Sequence, residues 1–262
     1  MTTMVQEGRA AAPWSLARRV VTGLVQPGGA PMARRALDGA RLDDGDRVVE
    51  LSPGLGLTSA LVLERGPREW TAVEPDPAGA EHLGRTTAGA GRRVVEAPIA
   101  ATGLADGSAT VVVADCVLGP LDDEGRAAAL AEAARLLRAG GRVALHELTP
   151  AEDAHPAALD ELAGWGVRAT GEDGWRAAMR AAGLVPIGAV AGRLRLRAPA
   201  ELMRAAGPRT ALRLTRGAAL DADARTAATR VRQAVERHEL ALRSLVVVAE
   251  VPLVLGMRRP RR

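Results

Sequence analysis

Phenylalanine and tyrosine are absent from this chain of 262 residues, and aromatic residues make up only 2% of it. Lysine and asparagine are absent as well. All four residue types have codons rich in A and T, so a GC-rich genome is the simplest explanation. Their absence therefore says little about function.

Cysteine occurs once, at Cys116. A single thiol excludes a disulfide framework and a metal site built from several thiolates. The acidic run Asp122-Asp123-Glu124 precedes a predicted helix, where acids serve as N-terminal caps. We therefore expect a protein of the reducing cytoplasm that holds no metal ion.

The charge balance makes a nucleic-acid partner unlikely on sequence grounds, although the sequence pI is about 10.8. The formal net charge is only +4, from 35 basic and 31 acidic residues. Without lysine and tyrosine, almost nothing titrates between histidine and arginine, so a small positive excess moves the pI to an extreme.

No segment predicts a membrane span or a secretion signal. The most apolar tract, 244–256, is interrupted by Glu250 and Pro252 and is too short to cross a bilayer. The first residues carry charges early and lack an apolar core with a cleavage site. We expect no membrane partner.

Apolar runs alternate with helical patterns through the first 150 residues. They predict helices and parallel strands in turn, with a sheet covered on both faces. The predicted strands are Val48–Leu51, Thr71–Glu74, Arg93–Glu96, Ala109–Asp115 and Arg142–Glu147. This pattern is typical of an α/β fold with a doubly wound, mostly parallel sheet, whose ligands bind at the carboxyl ends of the strands.

The remaining chain predicts a helical insertion between two final strands, Leu184–Leu196 and Ser244–Leu255. With these strands the sheet has seven members and is Rossmann-like. We expect one domain in three parts: an N-terminal helical cap over 1–45, which includes a helix at Trp14–Val21, a cofactor-binding core over 46–150, and a helical lid with the final strands over 151–262.

A glycine turn follows the first predicted strand. Glu50 ends that strand, Gly54 and Gly56 form the turn, and Glu74 ends the next strand. A strand, a glycine loop, a helix and a strand with a terminal carboxylate are typical of a nucleoside-binding half-domain. Ser59 stands where dinucleotide-binding proteins usually have a third glycine or alanine, which argues against NAD.

Two further runs carry a family resemblance. The run Thr102–Asp115 (TGLADGSATVVVAD) resembles the "LPF-DGSFDVV" passage of class I S-adenosylmethionine-dependent methyltransferases, and Glu132–Val143 (EAARLLRAGGRV) resembles their "E-x-x-R-V-L-K-P-G-G-x-L" segment. The likeness is greatest to the menaquinone- and ubiquinone-type small-molecule methylases, including a branch with the segment Gly140–Leu148 (GGRVALHEL). The resemblance implies S-adenosylmethionine as cofactor and a small-molecule acceptor.

The resemblance also implies a set of cofactor-binding residues. Glu50 and the loop after it would meet the methionyl part, Glu74 the ribose diol, the residues after the third strand the adenine, and the end of the fourth strand the sulfonium. These residues are Glu50, Ser52, Gly54, Gly56, Glu74, Pro98, Ile99, Asp115 and Cys116.

Three departures from the family pattern bear on this reading. Ser52 replaces the first glycine of the loop, and because Pro53 follows, we expect Ser52 to be extended. Pro98 replaces an aspartate that binds the adenine amino group, and the aromatic residues of the fourth strand are missing. These changes keep open a second reading, a catalytically degenerate protein that binds or regulates.

Methyl transfer from a sulfonium needs mainly alignment, so a base matters only if the acceptor must lose a proton. His146 is the candidate base, at the end of the fifth predicted strand, although the position favours a histidine satisfied by strand-end hydrogen bonds over a base. We expect the other histidines at the surface: His82, His155 and His238.

Other classes remain open at this stage. An RNA methyltransferase would explain the arginine content, but the Asn/Asp-Pro-Pro-aromatic motif is absent. A nicotinamide oxidoreductase lacks a recognisable Ser/Tyr/Lys set. A homodimer stays open as the assembly.

Overall fold

The computed structural model describes residues 27–196 and 221–253. The helix predicted at Trp14–Val21 lies outside these residues. The proposed division into cap, core and lid stays a prediction.

Seven strands form one mixed sheet in the order β3-β2-β1-β4-β5-β7-β6. Neighbouring strands are parallel from β3 to β5, and β7 runs antiparallel to both β5 and β6. The predicted seven-stranded, mostly parallel sheet is confirmed. The strands are β1 Arg47–Leu51, β2 Glu69–Val73, β3 Arg92–Val95, β4 Ala109–Asp115, β5 Leu137–Pro150, β6 Val185–Arg193 and β7 Leu242–Glu250.

Helices cover both faces of the sheet. One apolar cluster joins α1, α2 and α3 to one face, and a second joins α4 and α6 to the other. A third cluster packs α7 against α5 beside the end of β5 and the start of β7. The helices are α1 Gly29–Gly39, α2 Leu57–Leu63, α3 Pro77–Thr86, α4 Asp123–Leu136, α5 Pro156–Gly164, α6 Glu172–Ala181 and α7 Ala222–Arg237.

Two helices lead closely into strands of the sheet. The pattern of α4 continues to the glycine pair at 140–141, but the chain becomes extended at Leu137 and Gly140 turns with φ of 73°. The helix α7 ends at Arg237, and a short 3₁₀ turn, Glu239–Ala241, leads into β7. Asp122 caps α4 by accepting from the Gly125 amide at 2.8 Å, as expected for the acidic run.

The two segments that resemble the methyltransferase family contact each other. Glu132 on α4 accepts from the Thr102 amide at 2.9 Å and from its hydroxyl at 2.6 Å. Arg135 binds the same carboxylate at 2.7 Å and also pairs with Asp106. The Arg135 guanidinium lowers the pKa of Glu132 from 4.5 to about 2. This network fixes the loop that leads into β4.

We predict that Glu132 stabilises the fold at neutral pH and loses this contribution in acid. Because folding lowers its pKa, the contribution is complete above about pH 4.5 and declines as the pH falls toward 2. Replacement by glutamine (Glu132→Gln) should lower the free energy of unfolding by about 1–2 kcal/mol at neutral pH, since Arg135 is partly solvent-screened. In urea unfolding, the difference from wild type should shrink between about pH 5 and pH 3; a constant difference would contradict the assignment.

Candidate active site

The chain turns sharply just beyond the carboxyl end of β1. Ser52, Gly54 and Gly56 have φ of 45°, 58° and 74°, all in the left-handed region. The Ser52 amide still donates to the Val73 carbonyl at 2.7 Å, so the ladder between β1 and β2 continues into the turn. The prediction that Ser52 is extended is wrong, because this ladder bond and the turn that follows outweigh the local preference of a residue before proline.

Glu74 follows β2 directly and holds the glycine turn. Its side chain is buried, and its carboxylate accepts from the Gly54 amide at 2.9 Å and from the Asp76 amide at 3.2 Å. A Cβ on Gly79 would come within 3.0 Å of the Glu74 Cγ, so α3 also packs closely on this side chain. Each oxygen of a carboxylate has two lone pairs, so acceptor capacity remains for a diol.

Glu50 lies in β1, next to the strand's last residue, and its side chain is 1% exposed. The Trp70 indole donates to its Oε2 at 2.9 Å. Burial raises the pKa of Glu50 to about 7, although hydrogen bonding by Ser59 and Trp70 opposes the shift. Among the described residues, its Oε1 has no well-formed hydrogen bond. A buried oxygen of this kind suits a cationic group such as an ammonium.

Asp115, the last residue of β4, faces His146, which lies within β5; that strand continues to Pro150, beyond the end at Glu147 that the sequence predicts. They are register partners in the parallel pair, and His146 Nδ1 lies 2.9 Å from Asp115 Oδ1. The other carboxylate oxygen, Oδ2, accepts from the Thr58 hydroxyl in the first turn of α2. His146 Nε2 lies 2.7 Å from the Pro27 carbonyl oxygen and 2.9 Å from Ser244 Oγ.

His146 is fully enclosed by this network, with 1% of its side chain exposed. Burial lowers its pKa, but the Asp115 carboxylate and the hydrogen bonds outweigh burial, and the net direction is upward. The catalytic role assigned to His146 from sequence stays a prediction. His82 is also buried, so its prediction as a surface group is wrong.

Cys116 follows Asp115 in an unusual conformation. Its φ is 54°, and its amide donates to the His146 carbonyl at 2.8 Å. Pro98 and Ile99 follow β3 at the same edge of the sheet; Pro98 is exposed and Ile99 is half-buried against the core. All nine predicted cofactor residues therefore lie at or just beyond the carboxyl ends of β1 to β4, and His146 lies near the end of β5.

Glu147 is a site residue that the sequence analysis missed. It is buried, and its Oε1 accepts from the amides of Val117 at 3.0 Å, Leu118 at 2.7 Å and Gly119 at 3.2 Å. Burial raises its pKa to about 7, against the opposing effect of the Leu118 and Gly119 amides. Its position beside the end of a buried strand, as for Glu50, was the available signal.

Comparison with known proteins agrees with this geometry. Residues 49–145 match the family model described as a methyltransferase domain. No curated protein matches the chain significantly. None of the helices in residues 27–196 and 221–253 is long and apolar enough to cross a membrane.

Solved structures share the fold at low sequence identity. The [4+2]-cyclase SpnF is 15% identical with a TM-score of 0.64, over 85% of this chain and 80% of that one. The 1,6-didemethyltoxoflavin-N1-methyltransferase of Burkholderia thailandensis, with bound S-adenosylhomocysteine, is 16% identical with a TM-score of 0.57, over 94% and 93%. A geranyl diphosphate methyltransferase in complex with S-adenosylmethionine is 17% identical with a TM-score of 0.60, over 84% of each chain.

The fold and the strand-end carboxylates are typical of nucleoside-binding α/β proteins. The matched methyltransferase domain covers residues 49–145, and the fold is one that S-adenosylmethionine-dependent methyltransferases share. The residues fit S-adenosylmethionine as a cofactor: positive φ at the glycine turn admits close approach of a ligand, and the Glu74 carboxylate lies against that turn.

The left-handed conformation of Ser52 predicts an order of stability for two variants. Ser52→Gly and Ser52→Ala both remove the hydroxyl, but only glycine adopts positive φ without a Cβ clash. The glycine variant should therefore be more stable by about 1 kcal/mol in urea unfolding. At Ser108, where φ is not positive, the same pair should show the opposite order. An alanine variant at position 52 as stable as the glycine variant would contradict the strained turn.

Proposed function

We propose that this enzyme transfers the methyl group of S-adenosylmethionine to a small-molecule acceptor by in-line displacement. The observation that carries the proposal is the hydrogen bond from the Gly54 amide to Glu74, which supports a ribose-binding role for this carboxylate beside the bend that would pass under the methionyl part. Bound there, the cofactor supplies a methyl group on a sulfonium, and alignment of the acceptor provides most of the acceleration.

The roles of the site residues follow their positions. Glu74 accepts hydrogen bonds from the ribose hydroxyls, and Glu50 orients the loop or meets the ammonium. Ser52, Gly54 and Gly56 offer backbone to the ligand, and Pro98 with Ile99 flanks the adenine. Asp115 and Cys116, at the end of β4, lie beside the sulfonium and the acceptor.

A cavity supports a small-molecule acceptor. It has a volume of about 1020 Å³ at the rim formed by β5, β6 and β7, lined among others by Thr149, Glu172, Arg193, Arg243 and Leu245. A space of this size suits a small molecule, and its mixed charges suit a polar one. Two of the structural neighbours are named for small acceptors, 1,6-didemethyltoxoflavin and geranyl diphosphate. The quinone-type branch rests on the segment 140–148 alone and stays a prediction, as does a homodimer.

Cofactor binding tests the proposal through Glu74. In calorimetric titration with S-adenosylhomocysteine, Glu74→Ala should weaken binding by about 100-fold, because two charge-assisted hydrogen bonds are lost. Glu74→Gln keeps the shape of the side chain, so it should weaken binding less than Glu74→Ala does. The comparison separates the loss of hydrogen bonds to the ligand from a change in the glycine turn. Glu69→Ala, an exposed glutamate at the opposite end of β2, is the matched control and should bind as wild type does. No binding by wild type at millimolar ligand, or wild-type affinity in Glu74→Ala, would defeat the proposal.

For His146 we propose a positioning role: it holds Asp115 in place. Both ring nitrogens lie against protein atoms, so neither is directed at an acceptor. In steady-state kinetics of the metal-free enzyme, His146→Gln should raise KM for the cofactor and leave the shape of the pH–rate profile unchanged. A fall in kcat of about 100- to 10,000-fold with loss of a limb of that profile would instead establish the general base.

A further inference from the structure

We propose that Asp115, Cys116 and His146 bind one divalent transition-metal ion of the zinc class where the end of β4 pairs with β5. One ligand atom from each residue lies within 4.8 Å of the other two. The set combines a carboxylate oxygen, a thiolate and an imidazole, which is a mixture that Zn²⁺ accepts. The expectation of no metal rested on excluding several thiolates, whereas this site needs only one.

The hydrogen bonds of His146 fix which ring nitrogen is free to bind a cation. The Pro27 carbonyl, 2.7 Å from Nε2, can only accept, so Nε2 carries a hydrogen. Nδ1 then presents a lone pair to Asp115 Oδ1, itself an acceptor, 2.9 Å away. Two acceptors at this distance require a cation between them, either a proton or a metal ion.

A shared metal ion requires this pair to open slightly. Zinc bonds to nitrogen and oxygen are about 2.0–2.2 Å, so two such ligands on one tetrahedral ion lie about 3.4 Å apart, and the 2.9 Å between Nδ1 and Oδ1 would widen when the ion replaces the proton. The supporting contacts match those of ligands in metal sites, where a second hydrogen bond orients each group. The Pro27 carbonyl and Ser244 hydroxyl orient His146, and the Thr58 hydroxyl binds the second oxygen of Asp115.

The backbone at Cys116 explains how adjacent side chains reach one point. Consecutive residues of a strand point to opposite faces, but φ of 54° at Cys116 interrupts this alternation directly after Asp115. A non-glycine residue in this region is strained by about 1–3 kcal/mol, and such strain is concentrated at functional sites. Its placement beside the Asp115–His146 pair brings the thiol into the cluster.

Metal binding would exchange protons for the ion. The ion replaces the proton between Nδ1 and Oδ1 and the proton of the Cys116 thiol, so two protons leave and a neutral centre forms. Three protein ligands leave a fourth position for another molecule. If the proposed function holds, this fourth position suits the thiol or hydroxyl of the acceptor. The bound group would lose its proton to solvent and attack the methyl carbon of the cofactor. The bond between that carbon and the sulfonium sulfur would break at the same time, and the cofactor would leave as a neutral thioether.

Cobalt titration tests the site without using activity. The full chain, without a histidine tag and freed of metal by a chelator, is titrated with Co²⁺ and followed by absorption. We expect a near-ultraviolet thiolate-to-cobalt band that Zn²⁺ abolishes. Because Cys116 is the only cysteine in the sequence, this band can come from no other residue.

Variants locate the ligands. Cys116→Ser should remove the band, and His146→Gln should weaken Co²⁺ binding by about 10- to 100-fold. His238→Gln, at a histidine paired with Glu161 away from the cluster, should bind Co²⁺ as wild type does. A wild-type protein that binds S-adenosylhomocysteine but gives no charge-transfer band with excess Co²⁺ would overturn the metal site alone. A band without binding of S-adenosylhomocysteine would leave the metal site standing and defeat the proposed function.

Discussion

A buried carboxylate must find hydrogen-bond donors, and in this protein the donors are largely the backbone amides of the loops that form the site. Glu74 holds the bend after β1, and Glu147 holds the loop after β4 through three amides. Burial without these donors would be strongly unfavourable, so each carboxylate and its loop are fixed together. The ligand-facing backbone is therefore positioned before any ligand binds.

The parallel sheet explains why each of these acids contacts a neighbouring strand or its loop. Parallel strands end at one edge, so an acid at a strand end meets the loop of its neighbour. Glu50 differs because its donor is the Trp70 indole of β2, which leaves one oxygen for a cationic group. The Asp115–His146 pair extends this set to β5, where the acceptor would approach.

The parallel strands and part of the candidate site could be predicted from the sequence. The alternation of apolar runs predicted the parallel strands but not their order in the sheet, and the acids at the strand ends pointed to Glu50 and Glu74 because a buried strand rarely ends in a charge without a partner. The backbone conformation of Ser52 could not be predicted, because its hydrogen bond to Val73 in the sheet outweighs the extended conformation that a following proline favours. Glu147 was missed because its partners are amides 28 to 30 residues earlier, which carry no side-chain signal.

The fold alone does not decide the reaction. The fold is shared with a [4+2]-cyclase at a TM-score of 0.64, so the reaction of this chain must be argued from its own site residues. Cys116 and His146 could each be noted from sequence, but their approach to Asp115 depends on parallel register and a left-handed backbone.

The most direct measurement is a crystal structure of the complex with S-adenosylhomocysteine. The account predicts both ribose hydroxyls at about 2.7 Å from the Glu74 carboxylate, with the methionyl part over the Gly54–Gly56 bend. A nucleoside bound elsewhere, or a ribose that does not contact Glu74, would contradict it.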